Sequence, residues 1–93
     1  MFQFIKNLFK ESNPIERADG TKYWYLNDEK HRTDGPAVEG ADGSKEWYLN
    51  GKLHREDGPA VEGVNGYKVW YLNGVEYEPG DLEIGGIKMK KKT

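Results

Sequence analysis

Two short stretches carry the side chains best suited to chemistry, His31-Arg32-Thr33-Asp34 and His54-Arg55-Glu56-Asp57. A His with a nearby Asp could serve as a general base and its orienting carboxylate. That chemistry also needs a nucleophile. The chain has no Cys, and Ser12 and Ser44 lie outside the positions the two stretches share. Two near-identical dyads in tandem also speak against a single reaction centre, so the sequence predicts a protein that is not an enzyme. Two His residues are too few to specify a metal site. No cofactor is expected, because Asp19-Gly20 and Asp42-Gly43 read as turns and no Gly-x-x-x-x-Gly-Lys loop is present. Two readings remain. Arg32 and Arg55, with His31 and His54, could hold a phosphate or carboxylate bidentately. Alternatively the residues are structural: Asp57 ties the Asp-Gly-Pro turn, His54 packs beside an aromatic ring, and Arg55 pairs with a neighbouring carboxylate.

The two stretches lie 23 residues apart because the whole chain repeats at that period. Unit one spans 18–40, unit two 41–63 and unit three 64–86. Trp24, Trp47 and Trp70 coincide, each followed by Tyr-Leu-Asn. Each unit reads as a β-hairpin. Lys45 to Leu49 is aromatic and strand-like, and Asn50-Gly51 is a strong hairpin-turn signal because both residues tolerate positive φ. Asn73-Gly74 repeats it, and Asn27-Asp28 is a weaker version. A returning strand follows, interrupted at Asp57-Gly58-Pro59, where Pro removes a ladder donor. Strand alternation puts Trp47 and Leu49 on one face and Glu46, Tyr48 and Asn50 on the other. The expected fold is mainly β: an antiparallel meander of about three hairpin repeats, in about six short strands, with the tryptophans stacked in one ladder and Tyr25, Tyr48 and Tyr71 in another. Unit three replaces His-Arg by Tyr77-Glu78, and its Pro79-Gly80 and acidic residues are expected to stop a further strand from adding.

Composition agrees with a thin-cored single domain. Of 93 residues, 35% are hydrophobic and 32% charged, too polar for a large core. No apolar run approaches the roughly 20 residues of a membrane-spanning helix. Cys-free composition removes a disulfide scaffold and makes the cytoplasm the expected location. Residues 15–87 carry eight Lys and Arg against fifteen Asp and Glu, a balance of −7 that speaks against nucleic acid as partner. The lysines gather instead at 87–93, which reads as a basic, disordered tail. Residues 1–13 hold Phe2, Ile5 and Phe9 at helical spacing, with Phe4 and Leu8 beside them. They predict an amphipathic helix that covers the sheet, forms a homodimer seam or engages a partner.

At these residues the chain resembles a MORN-type repeat protein. That family has 23-residue hairpin units with a central aromatic, a following Asn-Gly and a Lys-x-His-Gly stretch; Trp47-Tyr48-Leu49-Asn50-Gly51-Lys52-Leu53-His54 fits this pattern. Arg55 follows His54 where the family has Gly, and Asp-Gly-Pro-Ala replaces Gly-x-Gly, which is closer to a bacterial or bacteriophage variant. The resemblance implies an elongated, twisted single-layer sheet and a scaffold or protein-binding role. For a small phage chain it implies a stoichiometric inhibitor of a host protein complex, in the host cytoplasm. The residues themselves point the same way, since aromatics and Arg dominate interface hot spots. The expected recognition set is Tyr25, Tyr48, Tyr71, Arg32, Arg55, His31 and His54.

Overall fold

The computed structural model describes residues 13–92. The helix expected over 1–13, with Phe2, Ile5 and Phe9, lies outside the described residues except for Asn13. The rest is antiparallel β structure, as the alternation and turn signals predict. Twelve strand segments occur: β1 Ile15–Glu16, β2 Lys22–Tyr23, β3 Tyr25–Leu26, β4 Glu29–Lys30, β5 Val38–Glu39, β6 Lys45–Glu46, β7 Tyr48–Leu49, β8 Lys52–Leu53, β9 Val61–Glu62, β10 Lys68–Leu72, β11 Val75–Ile84 and β12 Ile87–Lys91. Eight form one sheet in the order β1-β2-β5-β6-β9-β10-β11-β12, and β3-β4 and β7-β8 form separate two-stranded ribbons.

The doubled strand count comes from a change of partner at tryptophan. Trp24 N–H donates to Ala37 C=O at 2.9 Å, across the main sheet. Trp24 C=O accepts from His31 N–H at 3.0 Å, within the hairpin. Trp47 repeats the arrangement with Ala60 at 2.8 Å and His54 at 3.0 Å. Trp24 and Trp47 are therefore branch points: residues before each pair in the sheet, and residues after it pair in their own ribbon, whereas Trp70 lies within the continuous strand β10. The hairpin tips are tight turns with positive φ at both central residues, Asn50 at +51° and Gly51 at +81°. Asn27-Asp28 adopts the same turn, with Asp28 at +66°.

Register sorts the two faces. Glu16, Lys22, Glu39, Lys45, Glu62 and Lys68 lie directly opposite one another in sequence across six strands. Opposite charges thus alternate along the row, and each facing pair contributes roughly 0.2–1 kcal/mol. The adjacent row on the other face is Ile15, Tyr23, Val38, Glu46, Val61 and Val69. Packing is shallow: Ala37, Val38, Ala60 and Met89 are the buried apolar residues among those described.

The C-terminal expectation needs correcting. Residues 87–91 are not a free tail but strand β12, paired with β11. Gly85 and Gly86, both at positive φ, turn the chain back. Charge then aligns the two strands. Lys92 Nζ meets Glu76 at 3.2 Å, Lys90 Nζ lies 3.6 Å from Glu78, and Lys88 sits opposite Glu83. Pro79-Gly80 does not stop the pairing, because the register slips between Pro79 and Leu82 and both residues share Met89 as partner. A bulge places the missing donor where the ladder needs none. The lysines that read as a solvated run match an acidic strand.

Replacing Lys88, Lys90 and Lys92 by Gln should loosen β12 while leaving units one and two intact. Losing two surface ion pairs and the facing Lys88–Glu83 pair should raise the opening of β12 several-fold. Amide exchange at Met89 measures it; an unchanged rate would show that backbone pairing alone holds the strand.

Candidate functional site

The loop after each returning strand wraps an arginine. In unit two, Arg55 Nε donates to Asp57 at 2.9 Å, and Nη1 donates to Pro59 C=O and to Glu62, both at 3.0 Å. The guanidinium carbon lies over the Trp47 ring, 3.8 Å from its centroid. Unit one builds the same cage: Arg32 contacts Asp34 at 2.9 Å, Pro36 C=O at 3.1 Å and Glu39 at 3.1 Å, over Trp24 at 3.9 Å. Arg in this position gains charge-assisted hydrogen bonds and a cation–π contact of about 0.5–2 kcal/mol. Glycine leaves room beside it. A Cβ on Gly58 would sit 2.9 Å from Arg55 Cζ, and one on Gly35 would sit 3.0 Å from Arg32 Cζ. The repeated Arg-x-Asp-Gly-Pro-x-x-Glu spacing is thus one device for seating a cation on an indole.

These contacts place each expected residue. Arg55 does pair with carboxylates, two of them. Asp57 accepts from Arg55 and so holds the loop through that side chain. His54 Nδ1 accepts from Asn73 N–H at 2.9 Å, and His31 Nδ1 accepts from Asn50 N–H at 3.0 Å. Each imidazole therefore caps the hairpin turn of the next unit and must be unprotonated at Nδ1. His54 Nε2 also lies 3.2 Å from Glu56. Among the described residues no three His, Asp or Glu side chains converge as a metal site would require.

Unit three departs from this pattern. Glu78 holds the arginine position and turns to Lys90. Met89, 3% exposed, closes the crevice shared by Arg55, Trp70, Tyr71 and Tyr77. Trp70 Nε1 is buried without a hydrogen-bond partner. The tryptophans do not form the direct ladder expected from their period. Between described residues the stacked ring pair is Tyr23 with Tyr25, centroids 6.3 Å apart. At Trp24 and Trp47 a guanidinium occupies the indole face, where it takes the place of a second ring.

The tyrosine face carries the same theme. Lys30 Nζ lies 5.8 Å from the Tyr23 ring centroid and 5.0 Å from that of Tyr48. Arg17 covers Tyr23 at 5.5 Å. Tyr48 hydroxyl donates to Glu46 at 3.1 Å, and burial followed by the charge of Glu46 pushes its pKa from 10.0 up to about 12. Tyr25, Tyr48 and Tyr71 are all half-buried. Sequence reasoning did not select Tyr23, Lys30 or Arg17. The signal for Lys30 was the register of the returning strand, which depends on where the strand changes partner.

No family model, curated protein or solved structure matches the chain. No helix among the described residues is long and apolar enough to cross a membrane.

Two measurements check this account. Arg55→Ala should cost about 1–2 kcal/mol, because it removes the cation–π contact on Trp47 and the charge-assisted bonds that hold the loop. Arg55→Lys should recover less than half of that in chemical denaturation, since a point charge cannot bond and stack together. Recovery to wild type by Lys would leave charge alone as the cause. Tyr48 stays protonated in the fold above the pH at which the unfolded chain ionises. Stability should therefore hold below pH 10.0 and fall as pH rises toward about 12. Tyr48→Phe should flatten part of that slope in alkaline melts.

Proposed function

We propose that the chain is a non-catalytic protein-binding module of MORN-like repeats that presents its tyrosine face to another protein. One observation carries the reading: the arginine and imidazole side chains of the repeat are engaged inside the scaffold, whereas Tyr25, Tyr48 and Tyr71 are half-exposed at a regular spacing, Tyr48 beside Lys30 and Glu46. Half-buried tyrosines flanked by charges combine a rigid apolar surface with polar tips, the make-up of an interface centre. His31, His54, Arg32 and Arg55 serve that surface indirectly, by fixing the hairpins that bear it. The sharper form of the proposal is a phage-encoded stoichiometric inhibitor of a host defence complex, acting in the cytoplasm.

Capture from bacterial lysate with the wild type and with Tyr25→Ala/Tyr48→Ala/Tyr71→Ala tests it. The wild type is expected to retain a partner at fixed stoichiometry and the triple variant to lose it by at least tenfold. No partner at any salt concentration, or equal capture by both proteins, would overturn the reading. An anion held by the repeated arginines would first have to displace two carboxylates from each guanidinium. A thermal-shift screen with nucleotides and inorganic phosphate should accordingly be flat, and a shift abolished by Arg55→Ala would replace the proposal.

A further inference from the structure

Backbone groups are used unevenly across the array. Inside it, consecutive hairpins join through backbone bonds. Arg32 N–H donates to Tyr48 C=O at 3.2 Å and Gly51 N–H to Lys30 C=O at 2.9 Å. The next junction repeats them, from Arg55 to Tyr71 at 3.1 Å and from Gly74 to Leu53 at 2.8 Å. The eight-stranded sheet itself ends on β1 and on β12. β1 is two residues long and is a fragment of the repeat: Ile15 faces Tyr23 as Val38 faces Glu46, and Glu16 faces Lys22 as Glu39 faces Lys45. β12 is five residues long, and among the described residues no strand pairs with its outer side. A strand of that length offers about 17 Å of edge. Along such an edge, alternate N–H and C=O groups lack a ladder partner.

Edge strands are commonly blunted by brevity, proline or a bulge. β12 has none of these. Pro79 and the register slip lie on β11, the strand inside it. A Cβ on Gly80 would run into the Lys90 side chain, so the bulge makes room for β12 and leaves its course unbroken. What β12 carries instead is charge. Lys88, Lys90 and Lys91 are exposed, and Met89 among them is buried. Like charges directly opposite one another destabilise a strand pair, and opposite charges support it. An edge of lysines therefore opposes another lysine edge and favours an acidic strand.

The register inside the sheet gives the chemistry of the missing neighbour. Lys22 stands between Glu16 and Glu39, and Lys45 between Glu39 and Glu62. Each of these lysines has a glutamate opposite it on both adjoining strands. Lys88 and Lys90 have one on the inner side, Glu83 and Glu78 of β11. The Lys90 side chain stays 59% exposed while its Nζ lies 3.6 Å from Glu78. An ammonium has more than one donor, so that contact leaves capacity for a second carboxylate on the outer side. A second copy supplies it poorly. Its β12 would bring lysine against lysine, and its β1 offers the single acid Glu16, already opposite Lys22.

We propose that β12 is a docking edge for an extended acidic segment of another protein, which adds as a further antiparallel strand along Ile87–Lys91 and sets Glu or Asp at alternate positions opposite Lys88 and Lys90. Main-chain bonds hold the segment, and the alternating acids fix its register. The antiparallel sense is that of every strand pair in the sheet. This edge is a second surface, since it uses none of Tyr25, Tyr48 and Tyr71.

The full wild-type chain tests this with synthetic probes. One is the end-blocked peptide Thr-Glu-Val-Glu-Val-Glu-Thr, and its control is the isomer Thr-Val-Glu-Glu-Glu-Val-Thr, of equal charge. Calorimetry should give about tenfold tighter binding for the alternating peptide. At saturation, amide exchange within 87–91 should slow about tenfold, with exchange at Val38 and Val61 unchanged. Two further probes carry N-methyl groups on alternate amides of the alternating peptide, in one phase or the other. One should lose about tenfold in affinity and the other should keep it, because a single row of amides faces β12. Absence of binding at millimolar peptide, equal binding of the two isomers, or equal effects of the two methylation phases overturns the proposal. Protection that falls outside β12 also overturns it. Tighter binding of a short oligothymidylate than of the peptide would replace the acidic segment by nucleic acid. Exchange at 87–91 that slows with rising protein concentration, without peptide, would replace it by a second copy.

Discussion

An arginine seated over a tryptophan ring is the constraint around which each of the first two units is arranged. The guanidinium needs two carboxylates and a carbonyl at its edge, so Asp57, Glu62 and Pro59 must converge on it. The loop passes within touching distance of the guanidinium carbon, so a side chain at Gly58 would push the guanidinium off its place. The indole must present its face to the loop, so the strand that bears it leaves one partner and takes another at that residue. A chain with few aliphatic residues is organised in this way by planar groups stacked and bonded at their rims. The gain is specificity of position. An oily contact tolerates sliding, whereas a fork of donors on two carboxylates does not.

Strand alternation then divides labour between the two sides of the sheet. One side holds the caged arginines and the alternating row of Glu and Lys, and its polar groups largely satisfy one another. The other side holds Tyr23, Tyr25 and Tyr48 with Lys30 among them, and it remains partly open. The two faces are therefore built by alternate residues of the same strands, and the imidazoles tie successive hairpins together. By accepting from the turn amide of the following hairpin, His31 and His54 set the spacing at which the tyrosines appear.

Much of the fold was legible from spacing alone. Three copies of Trp-Tyr-Leu-Asn with turn residues at a fixed distance imply antiparallel hairpins, and the turns at Asn27, Asn50 and Asn73 all have the positive φ that their residue types suit. What spacing did not convey is partner exchange at Trp24 and Trp47. That depends on the Asp-Gly-Pro loop taking the returning chain out of the ladder and bringing Ala37 and Ala60 back into it. The caged arginine was half legible: a carboxylate partner was foreseeable, but the second one lies seven residues downstream and only the returning strand brings it near. The strand Ile87–Lys91 was hidden by its composition, since a lysine run suggests solvent until an acidic strand is found beside it. Ile15-Glu16 was missed as a fragment of the repeat because two residues carry too little pattern to stand out.

The junction between hairpins has a bearing on how such a chain can change length. Its bonds run from one unit only to the next, and both junctions use equivalent atoms. A duplicated segment spliced in register between units one and two would meet a matching socket above and below. Growth or loss of whole modules thus leaves the specialised ends untouched, and the breadth of the tyrosine-bearing side becomes adjustable in discrete steps. Such resizing by recombination would not require a hydrophobic interior to be rebuilt first.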